Sequence, residues 1–228
     1  MSDNVNGRRS YRAPQRTARA AATRRAVLDG ARLLFVERGY AATTVADIAE
    51  RAGVAVDTLY ATVGRKPEIL RELVETAISG TGEVVPAQQR EYVLAIQAAS
   101  DVETKIVIYA AAVTAIQSRL APIFLALRDA AVADDSCAAL WREISERRAR
   151  NMREFAELLR ATGRLRDDLT DDDVADVIWT MNAAEYWDLL VGQRGWSPER
   201  FRDWLADAWT RLLLAPGSTT TSVPGSTD

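Results

Sequence analysis

The chain has 228 residues, enough for one large domain or two small ones, and its 48% hydrophobic content suffices for a sizeable core. It holds no histidine and one cysteine, Cys137, which excludes Ser-His-Asp and Cys-His catalytic arrangements and an intrachain disulfide and leaves a structural zinc site without ligands. The net charge of −3 conceals an asymmetry: residues 1–70 carry 12 basic and 7 acidic side chains, a net of +5, and the remainder carries 17 basic and 25 acidic, a net of −8. Such a basic third suits a protein that points one end at a polyanion, and equally a solvated basic tail without a partner.

In chain order, residues 1–14 read as a disordered basic N-terminal arm closed by Pro14. No apolar stretch follows it, and no apolar run approaches the roughly 20 residues of a membrane span, so neither a secretory leader nor a membrane partner is expected. The single cysteine suits a reducing, cytoplasmic setting. A first helix is predicted from about Arg16 to Arg38, with Val27, Ala31, Leu34 and Phe35 on one face and Gly39 at its stop. A Thr of Thr43-Thr44-Val45 caps a short second helix that ends at Gly53. A third is predicted over about Val56–Thr62, and a fourth from Lys66-Pro67-Glu68 to about Ser79, with Pro67 in its first turn.

After Gly80, Gly82 and Pro86, helices are expected at about 88–99 and from the Asp101 cap to about Ser118. Pro122 is expected to divide that helix from one ending near Ala133. Others follow at about Cys137–Thr162, from the Thr170 cap to about Val191, and from Ser197-Pro198-Glu199 onward. Residues 216–228, rich in Pro, Gly, Ser and Thr, read as a disordered tail.

The informative stretch is Thr43–Val63, two short helices around a tight turn at Gly53. Ile48, Ala49, Val54, Leu59 and Val63 can pack together, which leaves Ala55, Val56, Asp57, Thr58, Tyr60, Ala61 and Thr62 facing outward as a major-groove reading helix. By spacing alone, any two short helices around a glycine look the same. The basic segment before the pair, the amphipathic helix behind it and Arg65-Lys66 after it favour a helix-turn-helix.

The region Arg24–Val74 resembles the DNA-binding domain of the TetR family of bacterial regulators. The residues that carry the resemblance are Gly39-Tyr40, Thr43-Thr44-Val45-Ala46-Asp47-Ile48-Ala49, Ala52-Gly53-Val54, Thr58-Leu59-Tyr60 and Lys66 before Ile69-Leu70. The resemblance implies an all-α chain with an N-terminal three-helix DNA-binding domain at 15–64. A helical effector-binding and dimerisation domain at 65–215 would follow, with residues 66–79 as the linking helix. It implies a homodimer on a double-stranded DNA operator, its recognition helices in successive major grooves. By position, Thr44, Tyr60 and Lys66 would contact phosphates, and Ala55, Val56, Asp57, Thr58, Ala61 and Thr62 would face bases or the nearby backbone. Two departures stand out: Ala61-Thr62 where many members carry an aromatic or His, and Arg65-Lys66 where many carry Ser-Lys. The recognition face lacks Arg, Asn and Gln, the usual bidentate readers. Asp57 reads either as a local cap or as an acceptor for cytosine N4. Arg8, Arg9, Arg12, Arg16 and Arg19 either reach an adjacent groove or belong to a solvated tail.

In the body, Val174, Val177, Ile178, Met181 and Leu189, with the Phe201–Leu212 stripe, suggest a dimer surface, or else the closing face of the monomer core. Tyr109, Phe124, Trp141, Phe155, Trp179 and Trp187 are candidate lining residues for an unidentified small-molecule effector, or plain core. Glu185 reads as a surface residue, with a ligand-orienting or cross-dimer role as the alternative. Asp167, Asp168, Asp171, Asp172 and Asp173 form an acidic cluster that helix capping explains more simply than a cation does. No set of carboxylates, Tyr109, Tyr186 or Cys137 forms a catalytic constellation, so no enzyme activity, catalytic residue, cofactor or metal is expected. The expectation is a sequence-specific transcriptional regulator, a repressor released from its operator by an effector.

Overall fold

The computed structural model describes residues 7–80 and 85–216, with side chains from Thr17 onward. The described residues are helical apart from turns and one isolated antiparallel bridge, Leu165 to Leu214. The head comprises α1 (Gly7–Arg38), α2 (Val45–Ala52) and α3 (Val56–Thr62), joined by α4 (Lys66–Ser79) to the body. The body comprises α5 (Glu91–Ala98), α6 (Val102–Ala130), α7 (Asp135–Arg160), α8 (Asp171–Met181), α9 (Ala184–Trp187) and α10 (Pro198–Leu213).

Local sequence sets the head. Thr44 and Asp47 form a reciprocal capping box at the start of α2. Gly53 ends that helix at φ +67°, and the N–H of Val54 reaches back to the Ala49 carbonyl. Val27, Ala31, Leu34 and Phe35 of α1 bury against Ile48, Ala49 and Leu59, as their spacing predicts. The same apolar cluster continues through Ile69, Leu70, Leu73 and Val74 of α4 into Leu120, Phe124 and Leu127 of α6 and Leu140 and Ile144 of α7. Apolar packing therefore does not divide at residues 64–65. A second cluster, around Tyr109, Phe155, Ile178, Phe201, Leu205 and Trp209, fills the far end of the body.

Four expectations are corrected. Helix α1 begins at Gly7 rather than Arg16, so residues 7–14 of the expected disordered arm are helical; the Arg- and Ala-rich composition favours that extension. Residues 1–6 of the arm and 217–228 of the tail lie outside the described residues. Helix α6 runs unbroken through Pro122. The lost backbone bond is outweighed by the burial of Leu120, Ala121, Ile123 and Phe124 on either side of the ring. Read whole, α6 is long and apolar enough to cross a membrane; here it is the spine of the body, packed on α4, α5, α7 and α10.

The third correction concerns the helix expected over 170–191. It breaks at Asn182, and the chain resumes as α9 and a π-turn over Asp188–Gln193. The Asn182 carbonyl accepts from Gln117, so a side chain of α6 holds the break. The fourth concerns the expected dimer stripes. Val174, Ile178, Met181, Phe201 and Leu205 are buried within the monomer, and only Val177, Leu189, Trp204, Ala208 and Leu212 keep exposed surface. The acidic cluster is spent locally: Asp173 in the Thr170 capping box, Asp171 on Arg160, Asp172 on Arg153 and Asp168 on Arg166.

Two glycines test this local account in opposite directions. Gly30 lies inside α1, and a methyl there meets its neighbours at 3.6 Å, an ordinary contact. Gly30→Ala should stabilise the protein by about 0.5–1 kcal/mol. Gly53→Ala forces a side chain into the left-handed region and should destabilise by about 1–2 kcal/mol. Urea unfolding of the two variants beside the parent checks the sign of each.

Candidate nucleic-acid interface and effector cavity

On α3, Leu59 is fully buried and anchors the helix, while Ala55, Val56, Asp57, Thr58, Tyr60 and Ala61 are exposed and Thr62 is half-buried. The outward set is therefore one contiguous face. Tyr60 is 47% exposed, a phenol available to a polyanion. The Thr62 hydroxyl donates to the Thr58 carbonyl at 2.6 Å and is already engaged.

The two other positions expected at phosphates are differently placed. The Thr44 hydroxyl donates to Asp47 Oδ2 at 2.7 Å and accepts from the Asp47 N–H. These bonds hold the Asp47 carboxyl below the usual range, so an anion stands beside Thr44. Lys66 is half-buried, with Nζ 3.9 Å from the centre of the Tyr40 ring. Burial draws its pKa down, and it also pushes the Tyr40 phenol up. Lys66 thus ties the start of α4 to the head–body junction, and Arg65 is the exposed cation beside it. Arg19 is exposed on α1, and the side chains of Arg8, Arg9, Arg12 and Arg16 lie outside the described residues.

Arg24 is a residue that sequence reasoning missed. Its guanidinium makes a two-pronged ion pair with Glu72 of α4 and donates at 3.0 Å to the Thr62 carbonyl, the last residue of α3. One side chain of α1 thereby holds both the C-terminus of the recognition helix and the linking helix. Nothing in its spacing marks it, because its two partners, Thr62 and Glu72, reach it only after folding.

Helix α4 is in turn fixed to the body. Arg71 pairs with Glu143 through two 2.8 Å bonds, Glu75 pairs with Arg147 at 2.6 Å, and Arg119 of α6 donates to the Ala77 carbonyl at 3.0 Å. Next to these contacts lies a cavity of about 170 Å³ between α4, α5, α6 and α7. Its walls include Ile78, Ile96, Val113, Ile116 and Phe155, with Gln117, Arg147, Arg148 and Asn182 among its polar groups. A cavity of about 150 Å³ is enough to hold a benzene ring.

Of the six aromatics expected to line a pocket, Tyr109 and Phe155 line this cavity. Phe124 and Trp141 instead stack on each other at 4.3 Å in the junction core. Trp187 packs edge-on against Phe201, and Trp179 lies outside the cavity with its ring 5.2 Å from Arg148. Glu185 is part-exposed and paired with Arg128 at 3.0 Å.

Arg24→Ala should loosen α3 without unfolding the protein, since a pair this exposed contributes within about 1 kcal/mol. Hydrogen exchange should quicken at the amides of residues 59–63 while the melting temperature barely moves. Unchanged exchange there would mean that Arg24 does not hold the helix.

The sequence profile of the bacterial regulatory proteins of the tetR family matches residues 27–73, which span the C-terminal third of α1 and all of α2 and α3 and reach into α4. No curated protein matches the chain in sequence. Among solved structures, the fatty acid degradation regulator FadR from Bacillus halodurans superposes with a TM-score of 0.67 at 18% identity, covering 82% of this chain and 94% of its own. A transcriptional regulator from Saccharomonospora viridis, solved with choline, gives 0.63 at 19% identity over 85% and 98%. The SmeT–triclosan complex gives 0.61 at 18% identity over 90% and 100%. These likenesses establish a shared fold across head and body, and the profile match falls on the helix-turn-helix itself. Residues 27–73 thus match the DNA-binding segment of the tetR family of bacterial regulatory proteins, carried on a fold shared with solved transcriptional regulators.

Proposed function

We propose that the chain is an operator-specific repressor that acts as a homodimer and leaves its DNA when a small molecule occupies the cavity. One observation carries this reading: the helix that positions the head is itself a wall of the cavity. Ile78 of α4 lines it, and Arg147, another lining residue, is ion-paired to Glu75 of α4. A ligand that displaces either group acts on α4 without an intermediary, and α4 carries α3 through Glu72 and Arg24. Such a ligand shifts the two states only by its difference in affinity between them. The choline and triclosan complexes of structural neighbours support a small-molecule ligand for this body.

On the DNA side, Ala55, Val56, Asp57, Thr58, Ala61 and Thr62 face the bases or the nearby backbone. Tyr60 and Lys66 contact phosphates, and Thr44 places its helix end beside them. Val56, Ala61 and the threonine methyls suit thymine methyl groups, which favours an operator rich in T at those steps. Lys66 reaches a phosphate only by leaving the Tyr40 ring, so it contributes less than Tyr60 or exposed Arg65.

For the dimer, Leu189, 51% exposed, and Leu212, 45% exposed, with part-exposed Trp204 and Ala208, supply the unpartnered apolar face beside α10. A bacterial DNA regulator works in the cytoplasm, a setting that the lone thiol also suits.

The test is selection of bound duplexes from a random-sequence library, followed by a salt series on the enriched DNA. The expected product is an inverted repeat with half-sites about 34–36 Å apart, binding that weakens steeply with salt, and clear loss of affinity in Tyr60→Ala. No enrichment, or equal affinity for random duplex, contradicts the reading.

A further inference from the structure

The polar floor of the cavity is organised around Asn182, 5% exposed at the break after α8. Its amide nitrogen donates to the Tyr109 hydroxyl at 2.9 Å and to Met152 Sδ at 3.1 Å, and the Tyr109 hydroxyl donates to the same sulfur. Its amide oxygen accepts from Arg148 Nη2, and its backbone oxygen accepts from Gln117 Nε2. The bonds of Tyr109 and Asn182 are thus spent within the protein.

Two capacities are left over. Gln117 is 5% exposed, and its Oε1 is buried without a hydrogen-bond partner. Arg148 uses only Nη2, and on neutral oxygens alone, those of Trp179 and Asn182. Among the described residues no carboxylate lies within ion-pair distance of it; Glu185, paired with Arg128, acts on it only from farther off. Its plane lies near the rings of Trp179 and Phe124, at 5.2 and 5.9 Å, and burial weakens its hold on the proton. Of the other charges on the cavity wall, Arg147 is taken by Glu75, Arg90 bonds the Val85 carbonyl, and Glu154 is exposed. The interior is therefore a cationic fork and an orphan acceptor, set in an apolar chamber.

We propose, resting on the reading of this cavity as the effector site, that its ligand is an amphipathic organic anion. A carboxylate faces the unused N–H groups of Arg148, a hydroxyl or N–H on the same ligand donates to Gln117 Oε1, and an apolar body about the size of a benzene ring fills the space beside Ile116 and Phe155. A part-buried guanidinium with no carboxylate in contact and a buried acceptor without a donor are both costly, and this ligand relieves both. A cationic ligand leaves the Arg148 charge uncompensated and is repelled by it.

The test uses calorimetric binding to the full chain. The probes are benzoate, the three hydroxybenzoates, hexanoate and 3-hydroxyhexanoate, each beside its primary amide, with benzyltrimethylammonium as the cation. At least one acid should bind at least about tenfold more tightly than its amide, and a hydroxylated acid more tightly than its parent. Arg148→Met should erase the preference for acid over amide, and Gln117→Leu should erase the gain from the hydroxyl while leaving the acid preference. If Arg148→Met fails to fold, the acid-to-amide ratio in the parent and in Gln117→Leu decides the matter. Ile116→Trp, which fills the chamber, should abolish binding. Amides or the cation binding as well as the acids, and lost in Ile116→Trp, would overturn the anion and keep the cavity as a ligand site. Acids bound equally by Ile116→Trp would overturn the cavity as the site. No binding by any class would overturn both.

Discussion

Everything in this molecule depends on how α4 is held. Its inner face, with Ile69, Leu70, Leu73 and Val74, is buried in one apolar cluster shared by head and body. Each such side chain contributes about 1.5–3 kcal/mol by burial, so the head does not come away from the body. Its outer face is held by Arg71–Glu143, Glu75–Arg147 and Arg24–Glu72, pairs worth about 0–1 kcal/mol each where they are exposed. Couplings between distant sites are typically about 1–3 kcal/mol. On the proposed function, a ligand of ordinary affinity would re-aim α4 by disturbing the ion pairs without unpacking its core. Packing fixes that the head is attached, and the charged rim fixes where it points.

The cavity is built at the place where that balance is open to a ligand. Its wall includes Ile78 of α4, its rim includes Arg147, and its floor is the Asn182 break that ends α8. The same break leads into the π-turn whose Leu189 faces outward beside α10. One chamber thus touches the joint to the DNA-binding head and the start of the surface proposed for the partner subunit. The outward face of α3 is small and methyl-rich, with no Arg, Asn or Gln to read a base in bidentate fashion, so on the proposed function affinity would rest on phosphate contacts and geometry.

The head was legible because its signals are local. The Thr44 cap, Gly53 in the left-handed region, Pro67 in a first turn and the spacing of Val27 to Phe35 each act within a few residues. The profile match over residues 27–73 and the helical fold agree with the resemblance read from the same stretch. The body was less legible because distant contacts decide it. Pro122 reads as a break and is overruled by the burial around it, and Asn182 reads as a helix interior and is overruled by Gln117. The cavity was sought among aromatics, and four of the six lie elsewhere. The better signal was a polar residue inside an apolar run: Gln117 in AAVTAIQSRLAPIF and Asn182 in VIWTMNAAEYW. Arg24 carried no such mark, since its partners are 38 and 48 residues away.

On the proposed function, the cavity rim and the linking helix form one energetic unit that the DNA-binding head senses. The most direct measurement is a double-mutant cycle of Glu75→Gln and Arg147→Met, read as affinity for the selected operator. Each change alone should alter operator affinity, and the two together should be non-additive by about 0.5 kcal/mol or more. Strict additivity, or operator affinity unmoved by all three variants, would contradict it.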